Sequence, residues 1–188
     1  MLSLEGIYMR KAIFLDRDGT LNYDSKKYVK SVDEFQLFAE TPPALKLFSQ
    51  ADYLVIIITN QSGIGRDYFN EEELDKMHAK LREKVESEGG HIDAIYYCPH
   101  HPNKNCNCRK PEITNIQKAV KRFDIDTSSS YFIGDSAKDI EAGQKAGCKT
   151  VLVKTGIKDY SQESINSWTT QPDYTFDNIL VAAKNITK

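Results

Sequence analysis

The chain has 188 residues, 40% of them hydrophobic and 28% charged, with a formal net charge of -2. That length fits one domain with a full hydrophobic core. The near-even charge balance excludes the basic stripe of a nucleic-acid binder and the lysine-rich face of a membrane-surface helix. The opening MLSLEGIYMRK carries no apolar stretch with a cleavage site, and the run Tyr53 to Ile58 is too short to span a bilayer. Met9 stands just ahead of the first apolar run, so residues 1–8 are expected to be a disordered extension and Met9 a candidate start. Four cysteines, three of them clustered, argue against a disulfide scaffold and for a reduced, cytoplasmic protein.

Short apolar runs predict strands at 12–15, 54–58, 94–97, 131–134 and 150–153, with a weaker sixth at 173–176. Their residues are continuously apolar rather than alternating, the pattern of a parallel sheet covered on both faces. Helical patterns fall between them. The first follows Pro42 and Pro43 to Gln50. The second runs from Glu71, with Asn70 as N-cap and Gly89 as the stop. Further helices are predicted over 113–123, 136–147 and 178–186. Strand followed by helix, repeated, predicts a doubly wound parallel α/β sheet forming a single domain over residues 1–188. The one long irregular stretch, 98–112, is expected to be functional or held by something else.

Chemistry-bearing residues collect where strands end. Asp16 and Asp18 in DRDGT follow the first strand, and Thr59 in ITNQSG ends the second. Arg109 and Lys110 close the irregular stretch in CRKP, and Asp135 and Asp139 in GDSAKD follow the fourth strand. Taken alone, DRDGT could be a solvated turn. Acids, a hydroxyl, an amide and two cations at one sheet edge suit Mg²⁺ and a phosphoryl group instead. Within CPHHPNKNCNC, the residues Cys98, His100, Cys106 and Cys108 have the density of a Cys₃His zinc site. Reduced surface cysteines are the alternative. His101 is a weaker ligand candidate, and Cys148 reads as a packed core residue. Zinc here would order the loop that delivers Arg109 and Lys110.

DRDGT, Thr59, Lys110 and GDSAKD together resemble the four motifs of the haloacid dehalogenase-like phosphatases, over about Lys11 to Gly156. The resemblance implies a Rossmann-like fold and an aspartyl-phosphate mechanism. Asp16 would be the nucleophile and Asp18 the acid/base, while Thr59 and Lys110 would hold the phosphoryl oxygens. Mg²⁺ would be held by Asp16, the backbone carbonyl of Asp18, and Asp135. Asp139 would position Lys110 or a metal-bound water.

The zinc loop, TNQSGIGR and YYCPHHP resemble the branch that holds the heptose bisphosphate phosphatases and the histidinol phosphatases. Ser62 favours the heptose side. That likeness implies removal of the 7-phosphate of D-glycero-D-manno-heptose 1,7-bisphosphate, with no nucleic-acid or membrane partner. Asp24, Tyr28, Asn60, Gln61, Ser62 and Arg109 would then touch the substrate, with Arg109 on the distal phosphate or sugar hydroxyls. The 24–28 stretch is one residue longer than usual in that branch, and Arg66 is either a ligand or a solvated charge. No insertion large enough for a cap domain is visible, so short loops must select the substrate, and the protein is expected to be a monomer. The rival readings are histidinol-phosphate hydrolysis, a nucleic-acid 3′-phosphatase and a zinc-stabilised, non-catalytic binding protein. His78 and His91 are expected on a helix surface and in a turn, and Tyr96 and Tyr97 in the core. Trp168 receives no role.

Overall fold

Every residue of β1 (Ala12–Leu15) is fully buried. Hydrophobic burial on this scale contributes about 1.5–3 kcal/mol per large side chain. Such a strand belongs in the middle of a sheet. The structure, a computed structural model, describes residues 9–188, so the expectation for residues 1–8 lies outside the described residues. β1 pairs in parallel with β2 (Leu54–Asn60) on one side and β4 (Tyr131–Gly134) on the other. β3 (Ala94–Cys98) extends the sheet beyond β2, while β5 (Lys149–Val153) and β6 (Tyr174–Phe176) extend it beyond β4. The order is β3-β2-β1-β4-β5-β6, and every pairing between these strands is parallel.

Successive residues along each strand point to opposite faces. Ile13, Leu15, Val55 and Ile57 meet α1 (Thr41–Gln50), α2 (Glu71–Ser87) and α6 (Ile179–Ile186) through Leu45, Phe48, Met77, Leu81 and Ile179. Ala12, Phe14, Leu54 and Ile56 meet α3 (Thr114–Phe123) and α4 (Ala137–Lys145) through Ile116, Ala119 and Ala142. Both faces are therefore covered, as the continuous apolar runs predict.

The caps also follow the sequence. Asn70 accepts a hydrogen bond from the Glu73 N–H at 2.9 Å, and Gly89 lies just past α2 with φ +84°. A left-handed residue there costs glycine little. A short helix, α5 (Gln162–Asn166), lies between β5 and β6 and has no counterpart in the predicted elements. It is too short for a helical period to register. Its Ile165 packs with Ile140, Leu152, Tyr160 and Trp168 in a small third cluster. No named helix or strand lies between β1 and α1, so the described residues hold no cap domain there. No helix among the described residues is long and apolar enough to cross a membrane.

Candidate active site

The chain runs outward from β1 through β2 to β3, then returns to place β4 on the other side of β1. The strand order reverses between β1 and β4, and ligands bind in such folds beyond the strand ends at that point. Asp16 leaves β1 there and Asp135 leaves β4. The Asp16 N–H donates to the Ile133 carbonyl at 3.0 Å, so the ladder itself fixes the start of the DRDGT turn. Gly19 makes the turn possible. It sits at φ +83°, and a Cβ there would lie 2.7 Å from Asp135 Oδ2. Only glycine lets the turn pass so close to the second carboxylate.

Lys110 connects the acids. Its Nζ lies 2.7 Å from Asp16 Oδ1 and 2.6 Å from Asp139 Oδ1, with the side chain 2% exposed. Burial alone would push this amine down, but the charges of Asp139 and Asp16 outweigh it and keep Lys110 cationic. Asp139 is itself fixed as the reciprocal partner of Ser136 in the capping box that opens α4. Of the two roles the resemblance offered Asp139, positioning Lys110 is the one its contacts serve. Thr59, 1% exposed, accepts a hydrogen bond from Gln61 Nε2 at 2.9 Å.

Asp18 is held by a separate set of partners. Its carboxylate accepts from Arg17 Nη2 at 2.8 and 3.0 Å, from Asn22 Nδ2 at 2.9 Å and from Gln61 Nε2 at 2.7 Å. Burial pushes the Asp18 carboxyl up, but the Arg17 guanidinium and the hydrogen bonds from Asn22, Arg17 and Gln61 more than offset it and hold the group below its usual value. Asp18 therefore rests ionised, as a base. A phosphoryl dianion brought beside it would raise its proton affinity, as the acid step requires.

The metal-ligand chemistry fits Mg²⁺. Asp16, Asp135 and Asp139 each bring a carboxylate oxygen within 4.8 Å of the others. Burial, opposed by Lys110 and reinforced by Asp139 and Asp135, pushes Asp16 up to about 8. Burial and the Asp139 charge push Asp135 up to about 6, against the pull of Lys158. Three clustered carboxylates that Lys110 and Lys158 only partly neutralise make an oxygen site for a hard cation. The Asp18 side chain is committed elsewhere, leaving only its backbone carbonyl for the ligand role.

The second ligand cluster also forms. Cys98 Sγ lies 3.6 Å from His100 Nδ1 and 3.7 Å from Cys106 Sγ, and Cys108 Sγ lies 3.3 Å from His100 Nδ1. A tetrahedral centre with bonds of about 2.0–2.3 Å has edges of roughly 3.3–3.8 Å. Three of the six edges match a tetrahedral ion, and all four ligand atoms lie within 4.8 Å of one another. No disulfide joins any of the four cysteines. His101 uses Nδ1 to accept from the Asn103 N–H at 3.1 Å, which removes it from the cluster.

A cavity of about 500 Å³ opens at this edge, lined by Asp16, Asp18, Asp24, Asn60, Arg109 and Asp135, among others. Of the other residues expected at the substrate, Gln61 and Ser62 are buried and stand outside this lining, with Gln61 bridging Thr59 and Asp18. Tyr28 also stands outside it, in an edge-to-face pair with Tyr68 at 5.2 Å and under the Arg66 guanidinium at 5.8 Å. Asn60 both lines the cavity and hydrogen-bonds the Lys110 backbone.

Sequence reasoning missed several participants. Arg17 was passed over as part of a motif, yet it is fully buried and clamps Asp18. His78 is not on a helix surface: it is buried, with Nε2 3.4 Å from Arg17 Nη1. An apolar period places a helix face but not the polar group set into it. Lys158 and Tyr160 both reach Asp135. Lys158 Nζ is 2.9 Å from Oδ2, and the Tyr160 hydroxyl donates to the Asp135 carbonyl at 3.0 Å. They follow β5, so the strand-end rule that found Asp135 could also have found them. Trp168, given no role, lines the cavity.

Comparison with known proteins agrees with this geometry. A family model described as HAD-hydrolase-like matches residues 107–182. The chain is 43% identical over 147 residues to a D-glycero-beta-D-manno-heptose-1,7-bisphosphate 7-phosphatase of Pseudomonas aeruginosa, covering 78% of this chain and 83% of that protein. It is 36% identical over 176 residues to the same-named protein of Pseudomonas putida, covering 94% and 99%. The crystal structure of D,D-heptose 1,7-bisphosphate phosphatase from B. bronchiseptica, complexed with magnesium and phosphate, superposes with a TM-score of 0.86 at 34% identity, covering 94% of this chain and 97% of that one. With the fold, the motif geometry and near full-length relatives in agreement, the chain belongs to the haloacid dehalogenase-like phosphatases, in the family of the heptose bisphosphate phosphatases.

Proposed function

We propose that the protein is a phosphatase that removes the 7-phosphate of D-glycero-D-manno-heptose 1,7-bisphosphate, in the biosynthesis of nucleotide-activated heptose for surface polysaccharide. The relatives' names give the β anomer, which is the anomer we assign. The observation that carries the reading is the Asp16–Lys110–Asp139 chain of ion pairs at the β1/β4 crevice, 2.7 and 2.6 Å long, facing a cavity that also contains Asp18. A buried carboxylate nucleophile, a cation for the phosphoryl oxygens and an acid/base group then share one site.

Asp16 attacks phosphorus and becomes the aspartyl-phosphate. Lys110 and Thr59 hold the non-bridging oxygens, where charge builds in the transition state. Asp18 gives a proton to the departing sugar oxygen, then takes one from the water that hydrolyses the acyl phosphate. Arg17 and Gln61 hold Asp18 in line for both transfers. Asp16, the Asp18 carbonyl and Asp135 would hold magnesium, which would supply charge neutralisation to the phosphoryl transfer. Cys98, His100, Cys106 and Cys108 would hold zinc, which would fix the loop that carries Arg109 and Lys110. Asp24, Asn60 and Arg109 face the sugar from the cavity wall, Gln61 steadies Asp18, and Tyr28 and Ser62 would reach the substrate from outside the lining. All these groups come from one chain, which suits a monomer, and the unpaired cysteines suit the reducing cytoplasm.

Phosphate release with Mg²⁺ tests the reading. The panel holds both anomers of the heptose bisphosphate, histidinol phosphate and a 3′-phosphorylated oligonucleotide. Loss of only the 7-phosphate, with the bisphosphate preferred, is expected. Preference for histidinol phosphate or the oligonucleotide would replace the substrate assignment while leaving the site chemistry intact.

A further inference from the structure

The proposed substrate carries two phosphates, and the ion-pair chain at Lys110 serves one. The same cavity extends past Asp135 to Ser136, Ala137, Lys138, Lys158, Ser164 and Trp168. Four carboxylates, Asp16, Asp18, Asp24 and Asp135, share this lining with the cations Arg109, Lys138 and Lys158. A second phosphate is repelled by the acids and needs these cations beyond Lys110 to hold it. Arg109 Nη1 is buried with no hydrogen-bond partner among the described residues. An unsatisfied buried guanidinium nitrogen costs stability unless a ligand completes it. Lys138 projects from the first turn of α4, where backbone N–H groups add positive potential. Lys158 Nζ touches Asp135 at 2.9 Å and stands 3.8 Å from Asp24, which leaves donors on its ammonium for a further acceptor. The fifth acid in the lining, Asp159, is occupied by the Ser161 N–H at 2.9 Å and the Ser161 hydroxyl at 3.1 Å.

The segment carrying Lys158 is anchored at several points. Tyr160 is hydrogen-bonded to Asp135, and Ile165 and Trp168 pack with Ile140 of α4 and Leu152 of β5. Lys158 is therefore presented to the cavity from a fixed wall, which limits the entropy lost when it binds.

We infer that Lys138 and Lys158, together with Arg109, form the seat for the substrate's distal phosphate, and that this seat selects sugar bisphosphates over monophosphates. The inference rests on the function proposed above and adds the residues that read the phosphate left in place.

The test compares kcat/KM for the heptose 1,7-bisphosphate and the heptose 7-phosphate in the wild type, Lys138→Ala, Lys158→Ala and the double variant. Lys138→Arg and Lys158→Arg serve as charge-retaining controls. Inhibition by the product sugar 1-phosphate gives a readout independent of turnover. Each alanine variant is expected to lower the bisphosphate-to-monophosphate ratio roughly tenfold or more, the scale of a charged hydrogen bond. The loss should fall mainly on KM, with weaker product inhibition, and the arginine variants should restore most of the ratio. An unchanged ratio in the double variant overturns the inference while leaving the proposed function standing. A wild type that hydrolyses neither heptose substrate overturns both.

Discussion

Asn60 grips the backbone of Lys110 from both sides: its Nδ2 donates to the Lys110 carbonyl at 3.2 Å and its Oδ1 accepts from the Lys110 N–H at 3.0 Å. The end of β2 thus sets the height at which the lysine enters the crevice, and Asp139 and Asp16 set where its ammonium lies. Asn60→Ala removes both hydrogen bonds, at about 1–3 kcal/mol of stability. A displaced Lys110 would slow turnover roughly a hundredfold. Steady-state kinetics should place most of the loss in kcat, with a smaller rise in KM because Asn60 also lines the cavity. A kcat within twofold of wild type would show that the loop holds Lys110 without Asn60.

Protons and Mg²⁺ compete for the same carboxylates. Asp16 is pushed up to about 8 by burial and Asp135 up to about 6, so both gain protons as the pH falls through these values. A cation needs them ionised, so Mg²⁺ affinity should rise with pH and fall about tenfold per unit from pH 8 down to pH 6. A thermal-shift titration with Mg²⁺ at pH 6.5, 7.5 and 8.5 reads this directly. Equal midpoints at all three values would mean that neither carboxylate is protonated in the metal-free protein.

His78 should make the fold acid-sensitive. Burial first, and the Arg17 charge next, push it down to about 3, below its ordinary 6.5. Between these values the unfolded chain binds the proton and the folded chain does not, so this contribution to stability falls as pH drops from about 6.5 to about 3. Urea unfolding should therefore show His78→Gln losing less stability than wild type between pH 7 and pH 5. Parallel losses would assign the acid sensitivity to other groups.

Stripping the thiolate cluster should disable Lys110 without unfolding the sheet. One zinc per chain is expected by elemental analysis. After chelation and replacement of Mg²⁺ alone, turnover should stay low while far-UV circular dichroism stays near native. Added Zn²⁺ should restore activity, and Cys106→Ser should mimic the stripped form. Full activity with Mg²⁺ alone would remove zinc from the mechanism.

The fold was legible because its strands are buried on both faces and announce themselves as apolar runs. All six predicted strands form, and Asn70 and Gly89 bound α2 as expected. Asp16 and Asp135 converge because strand ends converge at a switch point, a rule that needs no side-chain detail, while the loop after β3 and the first turn of α4 bring in Lys110 and Asp139. The hidden part depends on direction. Nothing in the spacing of Gln61 says that it turns inward to Asp18, or that Tyr28 turns outward to Tyr68. α5 and Trp168 lie in a polar stretch, where packing is set by partners distant in the chain.

The placement of β1 between β2 and β4 also orders events during synthesis. Ile13 and Leu15 find one set of partners in β2 soon after emerging, and the other only when Tyr131 to Ile133 have been made. Until then the central strand has an open edge and a nucleophile with no Asp135 beside it. Such long-range pairing is slow to form, and a ribosome-bound chain that has reached only β3 presents a sticky edge rather than a catalyst. A nascent-chain assay should therefore see activity appear late and abruptly, when the return strand docks.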